Sequence, residues 1–405
     1  MTGLLLTCAF VIAIPAHAET LQEIKARAAA LKAKGDAAGA LAAYERAAEL
    51  APRAAEIQDE IGFLMAATNR AVEAKTRFER AIQLQSDYAP AHYHLGVLYW
   101  LEENPNAAIP LLEKASRLVP KQFEYRYRLG AAYHAVGHFR EAVEQLQQAV
   151  TLETRHADAW NSLGLALQKS GDRPAALKAY RKAVELDPAD HEARNNYGFM
   201  LVETSSAAKG IEEFEKVLQA DPNNMTALVD IGFAYLQMGD FTKAIEQFRS
   251  VLRRDPESAI AHYDLGLALK QKDDIEGAKQ ELQEAIRIDP NLAEAHYTLG
   301  IAIWQTGDFE GTARQMQAAV ALKPDYSEAY YMLGTALKQK GDNADAAKAL
   351  REAIRLDPEN PGPYNTLGQL LRITGDTEGS KAAFAEGARV KAKKEAEQAE
   401  MLKKK

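Results

Sequence analysis

An all-α fold, a solenoid of repeated helix pairs, is predicted by three features of this 405-residue chain. Ten glycines recur at a fixed interval of thirty-four residues: Gly62, Gly96, Gly130, Gly164, Gly198, Gly232, Gly266, Gly300, Gly334 and Gly368. Within each interval apolar residues fall twice over at spacings of three and four, the pattern of two amphipathic helices. Turn chemistry separates them, with Gly-Asp pairs between the helices and prolines at the end of most intervals. A fixed period of this length marks stacked small units that bury their apolar faces only against neighbours. With glycine as the eighth residue, the units are 21–54, 55–88, 89–122, 123–156, 157–190, 191–224, 225–258, 259–292, 293–326, 327–360 and 361–394, followed by a charged tail at 395–405.

The first segment, 1–18, stands apart from these units. An apolar run from Leu4 to Ile14 precedes Pro15 and the small-x-small triplet Ala16-His17-Ala18, which reads as a secretory signal cleaved after residue 18. The run is too short to cross a bilayer, which needs roughly 20 apolar residues. No Lys or Arg precedes it, a departure from the usual signal pattern. Export, to the periplasm, is the expectation; a cytoplasmic location follows if the segment is not a signal. Cys8, the one cysteine, lies inside it, so the mature chain is expected to lack disulfides and thiol chemistry.

Each unit explains its own helices. In 157–190 the first helix carries Trp160, Leu163, Gly164 and Leu167 on one side, and the second carries Ala176, Tyr180, Ala183 and Val184. A helix-interior glycine costs about 1 kcal/mol against alanine. The expected reason for accepting that cost is close approach of the second helix, opposite a small residue such as Ala176, Ala244 or Ala278. Gly-Asp at Gly35-Asp36, Gly171-Asp172, Gly239-Asp240, Gly307-Asp308, Gly341-Asp342 and Gly375-Asp376 predicts a left-handed helix end followed by an aspartate cap. Pro52, Pro120, Pro188, Pro222, Pro256, Pro290, Pro324 and Pro358 close units, since the residue before proline is pushed out of helical geometry.

Trp160, Leu163, Gly164, Ala176, Tyr180 and Pro188 resemble, place by place, the tetratricopeptide repeat, and the resemblance covers nearly the whole chain after the first segment. It implies antiparallel helix pairs wound into a right-handed superhelix, whose first helices line a concave groove that binds partners. Three units depart from the pattern. The first has Arg27-Ala28 in place of an apolar residue and glycine, as expected of a cap facing water. The third carries Pro110 inside its second helix, predicting a kink. The sixth has Ser205-Ser206 at the bend and Gly210 at the small-residue place, and local looseness is expected there and around the third.

The net charge of −8 disfavours nucleic acid, whose phosphates demand a basic stripe. Phosphate-cradling glycine loops, the nucleophile elbow and the zinc-protease helix motif are all missing from the sequence, so no catalytic role and no cofactor are predicted. His92, His262 and His296 share the fourth place with Trp160 and are read as packing residues. His94, His134 and His138 imitate a metal set, but no carboxylate or thiolate stands at convincing spacing, and no metal is expected.

The resemblance also implies that the second, fifth, ninth, twelfth and thirteenth places face the groove. The fifth supplies Tyr93, Tyr127, Asn161, Asn195, Tyr263, Tyr297, Tyr331 and Asn365; the ninth supplies Phe199 and Phe233. Trp100 and Trp304 occupy the twelfth, and Gln237, Gln271, Gln305 and Gln339 the thirteenth. Tyrosine gives stiff contact area with a polar tip, and exposed amides can hydrogen-bond an extended backbone. The Asn and Gln rows are read as the more specific signal, because burial gives no reason for them. Recognition of chaperone tails is not expected, because Lys25 at a fifth place is followed by Ala29 where the family's carboxylate clamp requires asparagine.

The resulting expectation is a non-catalytic exported scaffold holding a protein or peptide in its groove, in assembly or organisation of a bacterial envelope complex. Two alternatives remain open: a glycan-binding or polysaccharide-export accessory, and a stand-alone superhelix resembling the substrate-selecting part of protein O-glycosyltransferases. The sequence does not fix the oligomeric state.

Overall fold

The computed structural model describes residues 19–403, and every regular element among them is an α-helix. The expected signal segment, 1–18, lies outside the described residues, as does the extreme end of the tail. The chain divides into two compact units at Ala193/Arg194. The first contains α1 (Leu21–Ala33), α2 (Ala37–Leu50), α3 (Ala55–Ala67), α4 (Ala71–Leu84), α5 (Ala89–Leu101), α6 (Pro105–Leu118), α7 (Phe123–Ala135), α8 (Phe139–Leu152), α9 (Ala157–Ser170) and α10 (Arg173–Leu186). The division falls within α11 (His191–Glu203). The second unit continues with α12 (Ala207–Ala220), α13 (Met225–Gln237), α14 (Phe241–Leu252), α15 (Ala259–Gln271), α16 (Ile275–Ile288), α17 (Ala293–Trp304), α18 (Phe309–Leu322), α19 (Ser327–Lys340), α20 (Asn343–Leu356), α21 (Pro361–Ile373) and α22 (Thr377–Lys403). Within each unit, helices pack on their neighbours in the chain, the paired-helix stacking of a solenoid.

The periodic glycines face large side chains, not the small ones the sequence suggested. A Cβ on Gly164 would stand 2.5 Å from the Tyr180 ring, on Gly232 2.5 Å from Phe248, and on Gly266 2.7 Å from Leu282. Ala278 and its equivalents contribute only a backbone carbonyl at longer range. The glycine is therefore a notch that seats a bulky knob from the second helix. Tyr180, Phe78, Phe214, Phe248, Leu112, Leu146 and Leu282 are accordingly buried almost completely, each worth about 2 kcal/mol relative to exposure.

The bends follow the expected chemistry with one exception. Gly35, Gly171, Gly239, Gly307, Gly341 and Gly375 all have φ between 74° and 91°. Asp36, Asp172, Asp240, Asp308 and Asp376 accept hydrogen bonds from backbone N–H groups in the first turn of the following helix. Asp342 makes no such bond; Lys340 holds it instead at 3.0 Å. Where glycine is missing, Asn69, Glu103, Ser205 and Asp273 take positive φ themselves. α6 runs through Pro110 as one continuous helix. At α12, Gly210 is required because a Cβ would meet Val202 at 2.6 Å and the Gly198 carbonyl oxygen at 2.7 Å. In α1, Ile24 and Ala28 are fully buried while most other positions face water, and Thr20 with Glu23 closes a capping box.

Candidate functional site

The fourth place of the repeat is a polar clamp, a role that packing arguments missed. His92, His262 and His296 each direct Nε2 at a carbonyl six residues earlier, at 2.9, 3.1 and 3.2 Å. Trp160 donates Nε1–H to the Thr154 carbonyl at 3.0 Å, Arg126 reaches Pro120 at 3.3 Å, and Tyr364 reaches Pro358 at 3.3 Å. Many fourth-place residues also pair across to the second helix, nineteen residues on. Arg77 meets Gln58, Arg126 meets Gln145, Arg194 meets Glu213, His262 meets Glu281 and His296 meets Gln315, all between 2.6 and 3.0 Å. The clamp ties the loop between repeats to both helices, satisfying a loop carbonyl just beyond the preceding helix.

A second rung joins the fifth place of one repeat to the sixth place of the next. Asp59 accepts from His94 at 2.9 Å, and Tyr331 meets Thr366 at 3.4 Å, both thirty-five residues apart. Arg128 lies near the Tyr93 hydroxyl and Thr298 near that of Tyr263 at the same offset. His94 is thereby committed to Asp59 and to the rings of Phe63, Phe78 and Tyr93. His138 stacks on Tyr133, and His134 packs against Phe139. Among the described residues no group of three His, Cys, Asp or Glu is placed to hold a metal.

The residues expected to face a groove fall into three classes. Gln237, Gln271, Gln305 and Gln339 are exposed, forming a row of free amides. The aromatics are half-buried and engaged. Tyr93 stacks on Tyr125 at 4.6 Å, Tyr127 on Phe123 at 5.5 Å, Phe199 on Phe233 at 5.6 Å, and Tyr297 meets Tyr326 at 4.9 Å. Trp100 packs into the cluster of Leu112 and Leu129, and Trp304 lies 4.9 Å from Phe309. The third class corrects the expectation that burial cannot explain the asparagines: Asn161 and Asn195 are only 8 % and 6 % exposed. Asn195 donates Nδ2–H to Asn224 Oδ1 at 3.2 Å, so its amide joins the helix to the next loop. Asn365 is half-buried. Lys25, already set aside as a clamp, is held by Glu56 at 2.8 Å.

In the first unit this face carries an open apolar depression of about 320 Å³, lined among others by Phe63, Tyr93, Val97 and Leu101. In the second unit it carries an unusual electrostatic feature. Asp230 on α13 and Asp264 on α15 both occupy the sixth place. Asp264 is 7 % exposed, and burial alone raises its carboxyl to about 7. Burial first, and then the charge of Asp264, raises Asp230 to about 7 as well. Among the described residues, neither accepts a hydrogen bond from a side chain. Sequence reading passed over them because each resembles one more surface acid of a charged helix.

Known proteins resemble the chain in a consistent way. The tetratricopeptide repeat family matches residues 66–123, 229–293 and 294–361 in one form and 99–166 in another. The family described as the cytochrome c-type biogenesis protein H TPR domain matches 145–259, so the matches run unbroken from 66 to 361. The chain is a tetratricopeptide-repeat protein. The crystal structure of the yeast Tom70 shares the fold over 95 % of this chain and 96 % of that chain, at 14 % identity and a TM-score of 0.50. The human IFIT1 dimer with m7Gppp-AAAA is similar over 84 % of this chain and 90 % of that one, at 14 % identity and a TM-score of 0.48. MamA is similar over 41 % of this chain and 97 % of its own, at 26 % identity and a TM-score of 0.40. No curated protein matches the chain significantly. No helix among the described residues is long and apolar enough to cross a membrane.

Proposed function

We propose that this tetratricopeptide-repeat protein is a non-catalytic, exported scaffold that binds protein partners along its first-helix face and helps assemble or organise an envelope complex. In this reading residues 1–18 direct export, the eleven repeats of 21–394 form the binding body, and 395–405 is a solvated cap. The match of 145–259 to the repeat domain of a cytochrome c biogenesis protein supports an envelope setting. The observation that carries the binding role is the exposed row of Gln237, Gln271, Gln305 and Gln339 beside half-buried aromatics. Buried amides are explained by packing, but four exposed ones at one place of successive repeats have no structural task. They offer donors and acceptors to an extended backbone, with rings alongside as apolar contact area. A glycan reading gains less support, since Trp100 and Trp304 are packed against core residues and have less free face to stack on a sugar.

The test uses the exposed row, whose replacement leaves packing intact. Changing Gln237, Gln271, Gln305 and Gln339 together to Ala is expected to abolish partner capture from a native envelope extract, with circular dichroism unchanged. Undiminished capture, or retention on a neutral glycan column in place of it, would count against the proposal.

A further inference from the structure

The geometry points to a cation subsite: we propose that Asn195, Asp230 and Asp264 receive the basic side chain of an extended partner segment, best an arginine. This rests on the protein-binding reading above and names the chemistry of one position within it.

The argument starts from helix periodicity. Residues three, four and seven apart share a helix face. Asp264 therefore lies beside Ile260, Leu267 and Gln271, and Asp230 beside Thr226, Phe233 and Gln237. Both residues thus lie on the helix side that carries the exposed amides, Asp264 buried beneath it and Asp230 partly so. At two other rungs the fifth place of the preceding repeat serves the sixth, as Asp59 serves His94 and Tyr331 serves Thr366. At Asp264 that fifth place is Val229, which has nothing to offer. At Asp230 it is Asn195, whose Nδ2 is spent on Asn224 and whose Oδ1 is buried without a partner.

Two carboxylates and one amide oxygen stand on three successive first helices, and among the described residues none of the three accepts a side-chain hydrogen bond. Burying an ionised carboxylate without a partner is costly, and an unmet amide oxygen adds to that cost. The free protein can relieve the cost by keeping a proton on the pair, which fits the direction of both shifts. A ligand relieves it better by supplying the missing donors. A guanidinium fits that need, with five N–H donors in a plane and a charge that repays two acids. Ile260, 59 % exposed on the same helix face as Asp264, offers an apolar neighbour for the arginine stem or an adjoining residue.

A random-peptide library selected on the full chain, beside the Asp230→Asn, Asp264→Asn double variant, tests this. The wild type is expected to enrich peptides with a basic residue at a constant distance from an apolar one. Their affinity should fall about tenfold or more when that arginine becomes citrulline or Asp264 becomes Asn, with helical content unchanged. Enriched peptides lacking a basic residue, or insensitive to Asp264→Asn, would overturn the subsite while leaving the binding face intact. Enrichment of no peptide at all would overturn the binding reading and the subsite with it. Calcium or magnesium that raises the melting temperature of the wild type alone would assign the acids to a metal and sink the proposal.

Discussion

Asp59 and Asp264 are both buried aspartates on first helices, 3 % and 7 % exposed, at the rung that joins one repeat to the next. Asp59 has His94 at 2.9 Å; Asp264 has Val229 where a partner would be. The first is part of the scaffold, and the second is available to a ligand. A repeat therefore defines places, but the residue across the rung decides what each place does.

The comparison is broken most forcefully by removing the partner. His94→Ala is expected to strand Asp59 and cost about 3 kcal/mol in urea unfolding, whereas Asp264→Leu should be neutral or stabilising. Equal losses in the two variants would erase the distinction. A pair of glycines sharpens the same point at a smaller scale. Gly164→Ala should cost about 2 kcal/mol because its Cβ meets the rigid Tyr180 ring. Gly171→Ala should cost about 1 kcal/mol from its left-handed backbone alone, since nothing lies within 4 Å.

A pH series separates the paired from the unpaired acid. A carboxyl raised in the folded state binds protons that the unfolded chain releases, so its stabilising contribution is complete below about pH 4 and is lost as pH rises through about 7. The titratable groups in reach are Asp230 on α13, Asp264 and Tyr263 on α15 and, through Tyr263, Glu294 on α17. The Asp230→Asn, Asp264→Asn variant should show a flatter stability profile over that window, read by thermal melts. An identical profile would place both acids in an ordinary environment. The smallest contrast concerns two caps. Asp172→Ala should cost about 1 kcal/mol, and Asp342→Ala only a few tenths, because Asp342 bonds Lys340 and not the helix N-terminus.

Much of the fold was legible in the chain. The glycine period, the Gly-Asp bends and the capping aspartates announced helices whose starts at Leu21, Ala55, Ala89 and Phe123 follow the same interval. What escaped depended on pairs far apart in sequence. The notch at Gly164 is filled from Tyr180, sixteen residues on, and the eye falls first on the nearer alanine. His262 looked like packing because its two hydrogen bonds go to Glu281 and to the Pro256 carbonyl, partners that only the folded geometry reveals. The candidate site was legible in part. The exposed glutamines stand out by their period, but Asn161 and Asn195 shared that period and proved to be buried. Asp230 and Asp264 were invisible, since an acid reads as solvated surface until its neighbours across the rung are known.

The account rests on the first-helix face being where partners bind. A photo-reactive amino acid placed at Gln271 or Gln305 on that face, and at the exposed Gln283 of α16 as a control, tests it in the native cell. Crosslinks to one partner from Gln271 and Gln305 but not from Gln283 are the predicted result. Crosslinks from Gln283 alone, or equally from all three, would contradict it.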